Sequence, residues 1–138
     1  MRRPLALAAA TLIAAAHAAE AQSAQASDAA RPGAPVTAQE TVAMLAAVLR
    51  GLDTLAGVTE DLRLVRGETR RFGRLEITLD ACLAPRDDPG ADAYAHLTIR
   101  DVREAAPRFS GWMFASSPAL SALDHPRYDV WVLSCSNA

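Results

Sequence analysis

The segment RLEITLDACL, residues 74–83, sets Leu75, Ile77, Leu79 and Ala81 on one phase and Glu76, Thr78 and Asp80 on the other. A strict period of two puts the apolar set on one face of a strand, whereas a helix would scatter it around its circumference. A chain holding such a segment must build a sheet and bury one side of it. Cys82 falls on the polar phase, so the strand either bulges there or has both faces covered.

The same grammar recurs along the chain. VTEDLRLV (58–65) alternates Leu62 and Leu64 against Asp61 and Arg63, and AYAHLTIRDV (93–102) alternates Ala95, Leu97 and Ile99 against Tyr94, His96, Thr98 and Arg100. RFSGWMFAS and RYDVWVLSC read as two further strands, separated by SPALSAL, a short helical turn with Ser117 at the cap and Pro118 at the first helical position. Breakers sit between these segments, above all APRDDPGAD (84–92). TVAMLAAVLRGLDTL reads two ways: its alanines favour a helical entry, while Val48, Leu49 and Leu52 can begin a strand. The spacing predicts an all-β fold: a small single-domain β-sandwich or barrel-like fold of roughly five to seven strands. The last strand is apolar on both phases, which predicts a central position, paired with FSGWMF in the middle of the core.

The N-terminus predicts export. Arg2 and Arg3 form a positive n-region and Leu5–Ala16 an apolar h-region, followed by small-x-small sites at Ala16-His17-Ala18 and Ala19-Glu20-Ala21. The apolar run is shorter than the roughly 20 residues that span a bilayer, so residues 1–21 read as a cleaved secretory signal peptide that leaves no stable transmembrane segment. Residues 22–43 read as a flexible leader, rich in Ala, Ser and Pro, and residues 44–138 as the β domain. The expected location is periplasmic or secreted. Cys82 and Cys135 both survive processing, and an even count in an oxidising compartment reads as a structural disulfide. It would stabilise the fold by roughly 4 kcal/mol in the chain-entropy model.

Beyond the signal the chain carries 12 Arg, no Lys and 15 acidic residues, a net charge of −3. Arg63, Arg66, Arg70, Arg71 and Arg74 form the densest basic group, interrupted by Glu68, which is too sparse for a nucleic-acid face. There is no phosphate loop or dinucleotide fingerprint, and no cofactor or metal site is expected. Asp87, Asp88 and Asp92 lie near Gly90 but lack the alternating oxygen ligands of a calcium loop.

Residues 108–136 hold both tryptophans and two of the three phenylalanines. Most of this concentration reads as core. Trp112, Phe114, Ser116, Ser117, Asp124 and His125 remain as the candidate binding surface, the last four on a connecting loop. Ser117, Asp124 and His125 would suit a hydrolase, but no GxSxG elbow is present and Asp124 and His125 are neighbours in sequence. A turn with a surface histidine is the plainer account.

FSGWMFASSPALSALDHPRYDVWVLSC, together with RFGRLEITLDAC and LRGLDTLAG upstream, resembles the family of small exported bacterial proteins called domain of unknown function 2155, over about residues 46–136. The resemblance implies a single exported domain with both cysteines at motif positions, and it supplies no catalytic residue, cofactor or substrate. The expected function is that of a non-catalytic module that binds an unidentified envelope protein or serves as an accessory subunit. The alternative is a small-ligand or glycan-binding module.

Overall fold

The structure is a computed structural model that describes residues 39–138. The expected signal peptide and residues 22–38 of the expected leader lie outside the described residues. Eight strands and one 3-10 turn follow in order: β1 (Thr41–Met44), β2 (Ala46–Asp53), β3 (Val58–Val65), β4 (Thr69–Phe72), β5 (Leu75–Pro85), β6 (Tyr94–Asp101), β7 (Phe109–Phe114), the turn Pro118–Leu120, and β8 (Tyr128–Ser136). The all-β class holds, with eight strands against the five to seven expected.

The additional strands come from segments with weak signals. β1 falls mostly in the segment read as leader, with Met44 at the start of the expected domain: paired with Ala84, Leu83 and Cys82 of β5, Val42, Ala43 and Met44 need no strong alternation of their own. No helical entry precedes β2; Ala46, Ala47 and Leu49 are buried in a strand, where sheet context overrides the helical preference of alanine.

The strands form two sheets. One has the order β1-β5-β6-β7, with β4 also paired to β5; the other has the order β3-β2-β8. All pairings are antiparallel. The chain passes from the first sheet to the second at Leu45, between β1 and β2, and returns between β3 and β4. On the far side β7 and β8 are both edge strands, and residues 115–127 connect them. The expected pairing of these last two strands is therefore corrected: β7 pairs with β6 and β8 with β2. β8 looks doubly apolar because its inner residues Tyr128, Val130 and Val132 enter the core, while Trp131 on the outer phase is half-buried at a groove shared with the 118–122 segment.

Leu49, Leu62, Ile77, Leu79, Leu97, Ile99 and Val132 are buried between the sheets. A register shift between Leu79 and Ala81 sets Asp80 apart as the bulged residue, so that Leu79 and Cys82 both face inward despite their odd spacing. That bulge delivers Cys82 to Cys135 across the two sheets, with their Cα atoms 5.9 Å apart. Gly51 is an equally local requirement. A Cβ there would lie 2.8 Å from the Phe72 ring, which crosses from the opposite sheet.

Candidate functional site

Alternation fixes which side chains reach the outer face of the five-stranded sheet. On β6 they are Tyr94, His96, Thr98 and Arg100, all half-buried, while Ala95, Leu97 and Ile99 are buried beneath. On β7 Met113 goes inward, and Ser110, Trp112 and Phe114 face out. The ladder sets His96 opposite Trp112 and Tyr94 opposite Phe114. Each pair meets edge to face, with centroids 5.2 Å and 5.8 Å apart respectively. Trp112 remains 36% exposed, the more exposed of two tryptophans in a chain with few aromatics.

The Asp80 bulge supports this face. Asp80 Oδ2 accepts from Thr98 Oγ1 at 2.8 Å and lies 3.0 Å from His96 Nδ1, which fixes Nδ1–H as the donor and orients the ring against Trp112. At the other end, Asp92 ties down the chain leaving β7: its carboxylate accepts from the Ser116 amide at 2.9 Å and the Ser116 hydroxyl at 2.7 Å. Partial burial works against ionisation of Asp92, but the Ser116 and Ala93 donors prevail and hold its carboxyl below the usual range. Burial, with the Asp92 charge nearby, pushes the Tyr94 phenol up.

Trp112, Phe114 and Ser116 are thus brought together by one strand and its exit. Ser117, Asp124 and His125 are not. His125 is corrected from a surface residue to an interior one, its side chain only 1% exposed. Its Nε2 donates to Asp101 Oδ2 at 3.1 Å, and its Nδ1 accepts from the amides of Arg127 and Tyr128, both at 3.1 Å. With both ring nitrogens engaged, His125 is not placed to act on a serine. Ser117 precedes the 3-10 turn, as Pro118 at its start suggests, but its side chain makes no capping bond. Asp124 lies exposed.

The cluster around His125 is a second assembly, at the end of the sandwich opposite the disulfide. Asp101 also accepts from Arg74 Nε and Nη2, at 3.2 and 3.1 Å, and from the Arg103 amide at 3.0 Å. Tyr128 lies beside it, with the Arg74 and Arg127 guanidiniums 5.3 and 5.1 Å from its ring centre. Arg127 in turn forks onto Asp53, with the closest contact 2.6 Å. The Arg103 amide, followed by His125 and Arg74, overcomes the cost of burial and holds the Asp101 carboxyl well below the usual carboxylate range.

The loop after β5 offers no ion cage. Asp88 caps the Gly90 amide and Asp92 is committed to Ser116; among the described residues no three His, Cys, Asp or Glu groups converge on a metal position. A groove of about 350 Å³ lies beside β8, lined by Pro118, Ala119, Ala122, Asp129, Val130 and Trp131. Among the described residues no helix is long and apolar enough to cross a membrane.

Sequence reasoning did not single out Asp80, Tyr94 and His96 as site residues. A signal for them was present: they precede the breaker loop or share the polar phase of β6, and that phase faces the same side as Trp112 once β6 and β7 are paired.

Residues 47–135 match the family described as "Uncharacterized protein conserved in bacteria (DUF2155)". The chain is 31% identical over 87 residues to an uncharacterized protein of Rickettsia prowazekii (strain Madrid E), a match covering 61% of this chain and 56% of the relative. The matched region thus spans little more than half the length of that relative. No solved structure matches the chain.

Proposed function

The chain belongs to the bacterial DUF2155 family, and from that premise we propose that it is a non-catalytic module of the cell envelope that binds another protein through the outer face of its five-stranded sheet. The observation that carries this reading is the exposure of Trp112 on a face the core does not require. Met113, its neighbour, already fills the interior from β7 at 1% exposure. Trp112 is instead oriented from outside by His96 and, through it, by Asp80. Tryptophans held rigidly at the surface are the residues on which protein interfaces concentrate their energy.

The compartment follows from the same features. Membership of a bacterial family, together with the buried inter-sheet disulfide of this chain, points to an oxidising environment outside the cytoplasm. Export by residues 1–21, with Gln22 as the new N-terminus, completes the proposal; mass determination of the protein recovered from the periplasm tests it. The commitment of both His125 nitrogens to Asp101 and to main-chain amides supports a non-catalytic role.

The test of binding compares the native protein with Trp112→Ala by crosslinking in intact cells. Loss of a discrete adduct, with the disulfide and fold retained, supports the reading, and an unchanged adduct pattern removes it. One observation favours the small-ligand or glycan reading. Thr78, Thr98 and Ser110 form a row of hydroxyl groups across three strands, next to His96 and Trp112. A thermal-shift screen with neutral oligosaccharides checks that alternative.

A further inference from the structure

We propose that the partner is held by strand addition: an extended, uncharged segment of another protein pairs with the open edge of β7. This rests on the protein-binding reading above and specifies how the Trp112 face is engaged.

The ladder shows which main-chain groups are available. The Ala115 amide donates to the Ala93 carbonyl at 2.9 Å, in register with the β6–β7 pairing. Hydrogen-bonded positions alternate along an antiparallel pair, so the odd residues Phe109, Gly111 and Met113 turn their main-chain groups toward β6. Ser110, Trp112 and Phe114 turn theirs to the open edge. There the Phe114 carbonyl accepts from the Ser117 amide at 3.3 Å, while among the described residues no strand lies beside the amides and carbonyls of Ser110 and Trp112.

The other sheet edges carry features that discourage strand addition along all or part of their length. β1 and β4 have four residues each, and β4 carries Arg70 and Arg71. β3 carries Glu60, Asp61 and Arg63. β8 engages the first half of its own edge: the Tyr128 amide donates to His125, and the Val130 amide to the side chain of Asp129 at 2.9 Å. β7, with the sequence FSGWMF, has no charge, no proline and no such internal partner for Ser110 or Trp112.

These features define the occupant. A segment that adds to β7 satisfies its main-chain groups at Ser110 and Trp112, and its outward side chains lie beside Trp112 and Phe114. Alternate apolar residues on that side and no charge opposite Ser110 match the edge. This is the chemistry of strand addition, in which the main chain supplies affinity and alternate side chains supply selectivity.

The experiment uses the mature chain and a displayed library of uncharged ten-residue peptides carrying apolar residues at alternate positions. Selected peptides are tested by amide hydrogen exchange and against two edge variants, Ser110→Pro and Ser110→Lys. The amide lost in Ser110→Pro makes no ladder bond, and Ser110→Lys retains the strand if proline disturbs it. The expected result is slowed exchange at Ser110 and Trp112 in the complex, with Gly111 and Met113 unchanged, and at least tenfold weaker binding to a folded edge variant. Peptides that bind the edge variants as tightly as the native chain, or that leave exchange at Ser110 and Trp112 unchanged, overturn strand addition. If that binding is still lost in Trp112→Ala, the protein-binding face survives without it. Failure to select any binder overturns the proposal. Concentration-dependent protection of Ser110 without peptide also overturns it, by assigning the edge to a second copy of the chain.

Discussion

His125 and Asp101 are joined by a 3.1 Å hydrogen bond between side chains only 1% and 4% exposed, although 24 residues separate them. Asp101 ends β6 in one sheet, and His125 precedes β8 in the other. The bond therefore fastens the two sheets at one end, as the Cys82–Cys135 disulfide fastens them at the other. Between these ties runs the 115–127 connection, so β7 is positioned from both ends, and among the described residues no strand lies on its outer side.

The Asp101 tie predicts a specific acid sensitivity. Its carboxyl is held below the usual range by the Arg103 amide first, then by His125 and Arg74, against the opposing cost of burial. A carboxyl whose pKa is lower in the folded state contributes stability in full above its unfolded value, and loses it as pH falls toward the folded value. Urea midpoints of the native protein should begin to fall as pH drops through about 4, the ordinary aspartate range. Asp101→Asn should be less stable at pH 7 and show a shallower fall. Parallel pH curves for the two proteins would assign the acid sensitivity elsewhere.

The disulfide closes a loop with a sequence separation of 53 residues. In the chain-entropy model that linkage is worth about 4 kcal/mol. The Cys82→Ser, Cys135→Ser double variant should lose an amount of this order in urea unfolding, and reductant should then have no further effect on it. Because the disulfide lies between the sheets, on the inner side of the sheet whose outer face carries the aromatic residues, binding by the folded variant should persist.

The fold was legible in the sequence wherever burial followed local periodicity. In β5 the alternation of Leu75, Ile77 and Leu79 carried the strand, while Cys82 out of phase left open a bulge or a doubly covered strand; the bulge falls at Asp80. Long-range relationships were not legible. The pairing of β7 with β6 depends on the sheet in which each strand lies, and apolar content does not encode that. His125 resembled a loop histidine because its partner Asp101 sits at the end of another strand and its other hydrogen bonds come from backbone amides. Trp112 and Trp131 occupy similar apolar surroundings in sequence. Both lie on the outer phase of an edge strand; the 118–122 segment flanks Trp131 in a groove, whereas Trp112 packs against His96 and stays 36% exposed.

Gly51 predicts a steric coupling between the sheets. An added methyl group would stand 2.8 Å from the Phe72 ring, so Gly51→Ala must displace that ring. Overpacking of this kind costs about 1–3 kcal/mol. The same substitution introduced beside Phe72→Leu should cost markedly less, because the leucine leaves room for the methyl group. A double-mutant cycle by urea denaturation measures the difference, and strict additivity would mean that the two residues do not press on one another.

Trp112 and Met113 are adjacent on β7 but face opposite ways, so equivalent truncations should have unequal effects. Met113 is 1% exposed, and Met113→Ala removes atoms packed between the sheets, at a cost of about 2–5 kcal/mol. Trp112 is 36% exposed, and its contact with His96 is an edge-to-face pair on the outer surface. Losing such a pair costs about 1 kcal/mol. Trp112→Ala should therefore unfold near the native urea midpoint while Met113→Ala unfolds well below it. A Trp112→Ala protein as unstable as Met113→Ala would make the indole a structural member of the core, and the outer face would lose its anchor.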